Sequence, residues 1–376
     1  MRFLDAGESH GKALVAIIEG LPSGLEIDFD FIDNELTRRK QGYGRGERMN
    51  IETDRVQILS GVRGGFTLGS PIALMIPNLD HKKWTYVMGE RECDRQKRVV
   101  SEVRPGHADY VGCVKYGFDD ARNVLERASA RETAIRTAVG AVAKLYLKKL
   151  GIEVGSHVVA IGGVNSKSAV YSASELIKAD SSPVRCMDKQ AEKLMMQKID
   201  EAKKAKDTLG GVVEVVVSGM PVGVGSYVHY DRKLDYALMG AVGSVQSVKG
   251  VTIGNDTTAL FGSEAHDRMY PTGSGVERKT NNAGGIEGGV SNGEDIVIRA
   301  YLKPIPTVMS GLDTVDIRTK EGVKSSPERS DVCAVPAAGV VLESVVAYAL
   351  AQKISECFGG DTMAEVVDRV SRRRAR

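Results

Sequence analysis

Cysteine is scarce and scattered. The five residues, Cys93, Cys113, Cys186, Cys333 and Cys357, form no C-x-x-C pair and no metal-ligand spacing. That excludes a disulfide framework and a zinc ribbon, and it points to reduced thiols in a cytoplasmic protein. Charge of one sign is also missing. Fifty-one basic residues stand against 49 acidic ones, a net charge of +2, so there is no global field for nucleic acid. Any anion site must come from local clusters. The six histidines show no His-x-x-x-His or carboxylate spacing for a metal. No apolar run is expected to reach the length of a membrane helix, and a histidine motif within ten residues of the start leaves no room for a signal peptide. The run Gly284-Gly-Ile-Glu-Gly-Gly289 lacks G-x-G-x-x-G, and no Walker, G-x-S-x-G or kinase signature occurs.

Glycine, by contrast, is abundant: 42 residues, clustered at 42–46, 61–65 and 284–293. Such clusters mark turns and close approaches of backbone to a ligand. Between them lie periodic apolar segments. Ala13 to Glu19 reads as a buried strand. Asp28 to Lys40 reads as a helix, with acids early and Arg38, Arg39 and Lys40 in its last turn. Ser129-Ala-Arg-Glu132 fits a capping box that opens a helix ending at Gly151. Gly211–Ser218 and Asp295–Tyr301 read as strands, Met187–Lys206 as a charged peripheral helix, and Pro336–Phe358 as a helix begun by proline. The arginine-rich tail from Ser371 reads as a solvated end. GKALVAIIEGLPSG at 11–24 is echoed by GGVVEVVVSGMPVG at 210–223, which suggests duplicated strand-helix halves within one intertwined α+β domain covering 1–376.

Two histidines stand in suggestive turns. His10 lies in Gly7-Glu-Ser-His-Gly11, immediately before a strand. His107 lies in Arg104-Pro-Gly-His-Ala-Asp-Tyr110, where Asp109 or a carbonyl could fix its tautomer. His81, His157, His229 and His266 read as surface or satisfied core residues. Arg38, Arg39, Arg45 and Arg48 fall in RRKQGYGRGER. A basic, glycine-rich loop suits a ligand with several anionic groups, because guanidinium binds carboxylate and phosphate bidentately. Arg104, Arg127, Arg131 and Arg329 extend the set. The residues alone describe a cytoplasmic α+β enzyme with two proton-transfer histidines and an arginine-lined pocket for a polyanion.

Eight motifs in order resemble the chorismate synthase family: GESHG at 7–11, RRKQGYGRGERM at 38–49, RPGHADY at 104–110, RASARETAIR at 127–136, GSVQSVKGVTIG at 243–254, NNAGGIEGGVSNG at 281–293, KPIPTV at 303–308 and RSDVCAVPAA at 329–338. The chain departs locally, with Leu4-Asp5-Ala6 where many members have Thr-Thr-Phe, and Ser330 where many have histidine. The resemblance implies helices sandwiched between antiparallel β-sheets and a homotetramer. It implies a carbon–oxygen lyase that removes phosphate from 5-enolpyruvylshikimate 3-phosphate, with reduced FMN as cofactor. NADP and an external flavin reductase are associated with the family as sources of electrons; nucleic acid, membrane and metal are not implied. Carried over by motif, Arg39, Arg45, Arg48, Arg104 and Arg131 hold substrate. Arg127, Ala128, Ser129, Gln246, Ser247, Gly288, Lys303, Pro304, Ile305, Pro306, Thr307 and Arg329 line the flavin. His10 protonates the departing phosphate, His107 gives a proton at flavin N1, and Asp331 helps remove the C6 proton.

Overall fold

The computed structural model describes residues 1–46, 52–273, 275–325 and 330–375. Arg48 and Arg329 lie outside the described residues. In chain order the principal elements are β1 (Arg2–Ala6), β2 (Ala13–Glu19), α1 (Phe29–Lys40), β3 (Gln57–Ser60), β4 (Ile72–Pro77), α2 (Asp109–Tyr116), α3 (Arg122–Ala128), α4 (Thr133–Lys149), β5 (Glu153–Ile161), α5 (Lys189–Lys204), β6 (Gly211–Ser218), α6 (Leu234–Gly243), β7 (Val248–Ile253), β8 (Ile296–Leu302), α7 (Val335–Phe358) and α8 (Met363–Arg374).

The strands form two antiparallel sheets. One runs β1-β2-β4-β3 and the other β5-β6-β8-β7, with the short strand Val164–Asn165 beside β5. The order matches strand for strand. In each half two neighbouring strands come first, then a helix (α1 or α6), the edge and inner strands, and a long helix (α4 or α7); α5 is inserted between β5 and β6, and α2 and α3 between β4 and α4. The sequence echo falls on β2 and β6, the corresponding strands. Both halves share one continuous core.

Helices α4 and α7 lie between the sheets and pack on each other. They are apolar nearly all round because they are buried nearly all round. At their crossing, a Cβ on Gly140 would stand 2.3 Å from Ser344 Cβ, so only glycine permits this approach. Burial also explains one departure from expectation. The most apolar 18-residue window of α7 is long and apolar enough for a membrane span, yet 83% of it is buried here as core.

A buried ionic cluster ties the layers together. Glu343 on α7 accepts from Arg38 on α1 (2.8 Å), Lys144 on α4 (2.5 Å), Arg185 (2.9 Å) and Ser156 on β5 (2.6 Å). Glu35 and Asp180 complete it through Arg38 at 2.6 and 2.7 Å, so three cations face three anions. Burial would raise the Glu343 carboxyl, but Arg38, Lys144 and Arg185 hold it well below the usual range.

Three local expectations need correction. β2 is buried on one face only: Leu14, Ala16 and Ile18 point inward, while Ile17 on the outer face is 52% exposed. Its counterpart β6 is buried on both faces, because Tyr171, Ala173 and Leu176 cover that sheet from outside. Ser129 accepts from Arg131 N and caps a 3-10 turn over Ala130–Glu132, and α4 starts after it. Glu132 turns away toward Gln246, so no capping box forms. The tail is solvated as expected, with Ser371, Arg372 and Arg374 exposed, but it is ordered as the end of α8, which is opened by a Thr362–Glu365 capping box and buries Val366 and Val370; Arg374 donates to the Gly219 carbonyl.

Candidate active site

The turn between β1 and β2 carries His10. Gly7 in that turn has φ of +118° and would place a Cβ 2.5 Å from the Ala13 carbonyl oxygen, so the turn requires glycine. The His10 ring is fixed on several sides. Its Nδ1 lies 2.8 Å from Glu126 Oε1, and its backbone N–H donates to Glu126 Oε2 at 2.8 Å. It stacks on Trp84 with ring centroids 3.7 Å apart, and the Arg98 guanidinium lies 3.9 Å from the Trp84 ring centroid. Its Nε2 is 3.9 Å from Asp80 Oδ2. His81, expected at the surface or satisfied in the core, has its Nδ1 2.9 Å from the His10 carbonyl oxygen. Ser129 Oγ donates to Ser9 Oγ at 3.2 Å, which places the fourth motif against the first.

Beside this turn the arginines gather. Asp54 accepts from Arg39 at 2.8 Å and from Arg131 at 2.5 Å. Arg131 Nε also donates to Asn78 Oδ1 at 3.0 Å, and the Asn78 amide donates to the carbonyls of Glu8 and Gly11 on either side of His10. Burial pushes the Arg39 guanidinium down to about 10, opposed by Asp54 and reinforced by the charges of Arg131 and Arg45. Burial alone would raise Asp54, but Arg39 and Arg131 outweigh it and hold the carboxylate ionised at low pH. Arg39 Nε and Arg131 Nη2 are buried and have no hydrogen-bond acceptor among the described residues. Arg45 reaches Asp331 Oδ2 at 2.7 Å, and Gly46 N–H donates to Asp331 Oδ1 at 2.7 Å. Both carboxylate oxygens of Asp331 are thus engaged.

A third group surrounds His107. Its Nδ1 lies 2.6 Å from Asp109 Oδ1, which assigns the hydrogen to Nδ1 and leaves Nε2 as the other nitrogen. Arg104 donates to Asp109 at 2.8 and 3.1 Å and to Thr307 Oγ1 at 2.9 Å. Three of its five N–H donors therefore serve the scaffold. Burial opposes ionisation of Asp109, but hydrogen bonds from His107 and Arg104 hold it well below the carboxylate range.

A path of contacts joins the groups. Lys303 donates to the Gly106 carbonyl and, through its backbone N–H, to Ser247 O at 2.9 Å. Gln246 donates to Glu132 at 2.5 Å. Thr208 Oγ1 donates to Ile305 O at 2.8 Å, while Leu209 N–H donates to Val332 O, beside Asp331. The prolines at 304 and 306 stiffen this loop. Arg127 pairs with Asp5 at 2.8 Å, and Ala128 ends α3 before Ser129. A cleft of about 370 Å³ is lined by Phe3, Asp5, Arg127, Glu132, Arg136, Ser244 and Gln246. Glu132 Oε2 and Gln246 Oε1 are buried there without a hydrogen-bond donor among the described residues. Gly288 sits apart, in a hairpin whose Gly289 carbonyl accepts from Ser226 and Leu234. Among the described residues, no group of three His, Cys, Asp or Glu could hold a metal ion.

Sequence reading passed over Trp84, Glu126, Asn78, Asp54 and also Glu52, whose Oε2 lies 3.5 Å from Arg131 Nη2. Trp84 had one available signal, as the lone tryptophan of the chain.

Comparison with known proteins gives this arrangement its context. A family model described as chorismate synthase matches residues 1–354. A relative from Bacillus cereus (strain ATCC 14579), chorismate synthase 1, is 54% identical over 382 aligned positions, which cover 99% of this chain and 98% of the relative. Chorismate synthase of Caldicellulosiruptor bescii is 54% identical, covering 98% of this chain and 99% of the relative. A crystal structure of chorismate synthase superposes with a TM-score of 0.80 at 39% identity, covering 100% of this chain and 98% of the other. Sequence along nearly the whole length and fold along all of it agree, and the chain belongs to the chorismate synthase family.

Proposed function

We propose that the chain converts 5-enolpyruvylshikimate 3-phosphate to chorismate and phosphate by anti 1,4-elimination, with reduced FMN bound. One observation carries the reading. Buried beside the His10 turn, Arg39 keeps its Nε without an acceptor among the described residues, and Arg131 Nη2 has only the Glu52 carboxylate at 3.5 Å, too long for a good hydrogen bond. Buried, unpaired donors on a cation are costly unless a ligand supplies the anion. The substrate offers two carboxylates and a phosphate.

The chain also fits the cofactor. Glu132 Oε2 and Gln246 Oε1 are acceptors awaiting donors in a cleft of about 370 Å³, and a flavin with its ribityl chain carries N–H and O–H groups. Arg127 and Lys303 supply positive charge for its phosphate. Bound there, reduced FMN supplies electron density that weakens the C3–O bond. The residues of the chain do the rest. Arg39, Arg45 and Arg131 hold the anionic groups and set the ring's orientation. As the C3–O bond breaks, phosphate leaves with the electron pair, and His10 protonates it. The C6 proton passes to Asp331, which must release one of its present partners to take it, and the C6–H electron pair ends in the new ring double bond, so that no net electron is consumed. His107 presents Nε2, with Nδ1 held by Asp109. The five cysteines are all unpaired, which supports a reducing, cytoplasmic setting. The uncovered apolar outer face of the first sheet supports assembly into a homotetramer.

The test is an anaerobic assay with the phosphorylated enolpyruvyl substrate. One load of reduced FMN should support many turnovers, releasing phosphate and chorismate one to one, while oxidised FMN gives no product. Stoichiometric oxidation of one flavin per product would overturn the lyase reading. His10→Ala should lower turnover by about 10²–10⁴.

A further inference from the structure

We infer that Glu126 is a positioning residue for His10, a carboxylate that fixes which ring nitrogen faces the substrate. The inference rests on the proposed function and deepens it.

Glu126 ends up beside His10 from 116 positions away in sequence. It lies in α3, its carboxylate is 1% exposed, and both oxygens are directed at the same residue. Oε2 receives the His10 backbone N–H at 2.8 Å, and Oε1 lies 2.8 Å from the ring Nδ1. The Glu126 backbone carbonyl receives Ser9 N–H at 2.9 Å, so the same residue also fixes the turn that bears the ring. An ionised carboxylate only accepts hydrogen bonds. Nδ1 must therefore carry a hydrogen, and Nε2 is the nitrogen left to exchange a proton with a ligand. Burial would raise the Glu126 carboxyl, but the hydrogen bonds and charge of His10, with Arg122, hold it below the ordinary range.

The surroundings permit little else for the ring. Trp84 stacks on it, and Arg98 and Arg122 both lie over the Trp84 ring, at 3.9 and 5.2 Å. Asp80 stands near Nε2 at 3.9 Å, beyond hydrogen-bond length, and His81 holds the His10 carbonyl. A carboxylate behind Nδ1 and an open Nε2 is the arrangement by which an orienting acid sets a histidine that transfers protons. The Glu126 carboxylate is shut off from solvent and lies against His10, so it acts through His10.

Two readouts separate this role from a merely structural one. The first is the ring tautomer, read by nitrogen chemical shifts of labelled histidine in the flavin-bound enzyme at a pH where His10 is neutral, with His10→Ala used to assign the signals. Wild type should show hydrogen on Nδ1, and Glu126→Ala should move population to the other tautomer. The second is steady-state kinetics. Glu126→Gln and Glu126→Ala should lower kcat about tenfold or more, a part of the roughly 10²–10⁴ that a positioned general acid contributes, with KM within about threefold. Glu126→Asp should recover part of the loss. An unchanged tautomer in Glu126→Ala, or wild-type kcat in folded Glu126→Gln and Glu126→Ala, would overturn the assignment. Should a variant fail to fold, the Nδ1–H tautomer of the wild type and the Glu126→Asp kinetics still decide it. Absence of phosphate release by the wild type would instead remove the proposed reaction and leave the tautomer result standing.

Discussion

Replacing Glu343 by glutamine tests the buried ionic cluster at its centre. The carboxylate is fully buried and receives Arg38, Lys144, Arg185 and Ser156 at 2.5–2.9 Å. Glutamine keeps the volume but removes the charge, and it turns two N–H donors toward three cations. Counting each charged hydrogen bond at about 1.5–3 kcal/mol overstates the loss, because bonds in one network are not additive. The better guide is a buried pair broken on one side, which costs about 3–5 kcal/mol. At roughly 2.1 cal/mol/K of unfolding entropy per residue, a chain of 376 residues should lose about 4–6 °C in melting midpoint. Thermal and urea melts at neutral pH, followed by circular dichroism, measure it. Glu343 lies away from the proposed reacting groups, so kcat below the new transition should stay close to wild type. A midpoint within 1 °C of wild type would mean that the three cations find compensation without Glu343, and the electrostatic account of the helix layer would fall.

Acid should destabilise the chain from about pH 4 downward. Asp109, Asp54 and Glu343 have folded values below their ordinary ones, so their stabilisation is present above the unfolded value of about 4 and is lost as pH falls toward the folded value. Urea midpoints at pH 5 and pH 3 check this, and equal midpoints would contradict it. Arg45→Ala should weaken substrate binding about tenfold or more, from the loss of a charge-assisted bond. Lysine should restore only part of it, since it lacks the planar fork. Unchanged affinity in Arg45→Ala would place its loop outside the pocket.

The parts of the fold legible in sequence were those governed by local physics. The helix α1 was readable from its early acids and its basic last turn; it begins at Phe29, with Asp28 as its cap. The strand β6 was readable from its valines. β2 looked equally buried, but which of two apolar faces is covered depends on a segment elsewhere in the chain. The tail was read correctly as solvated, but its helical form was missed although the signal was local, in the Thr362–Glu365 pair that opens α8. At the candidate site, His10, His107 and Arg39, Arg45, Arg104 and Arg131 could be singled out because glycines and clustered cations mark them. Asp54, Asn78 and Glu126 were not. Each is an ordinary polar residue whose importance lies in what folding brings beside it, and nothing in its neighbours in sequence announces that.

The strand-for-strand agreement of the two halves has a consequence for chemistry. A homodimer of half-length chains would have to place the same residue on both sides of its symmetry axis. A tandem chain is free of that rule. The turn before β2 bears Ser9 and His10, whereas the corresponding turn before β6 bears Thr208 and Leu209, which bond to the loops at Ile305 and Val332. One turn offers a histidine, and its twin braces the backbone around Asp331. The elimination proposed above would remove different groups from opposite faces of a ring, and two unlike turns set on matching strand plans would give it a separate chemical partner on each side.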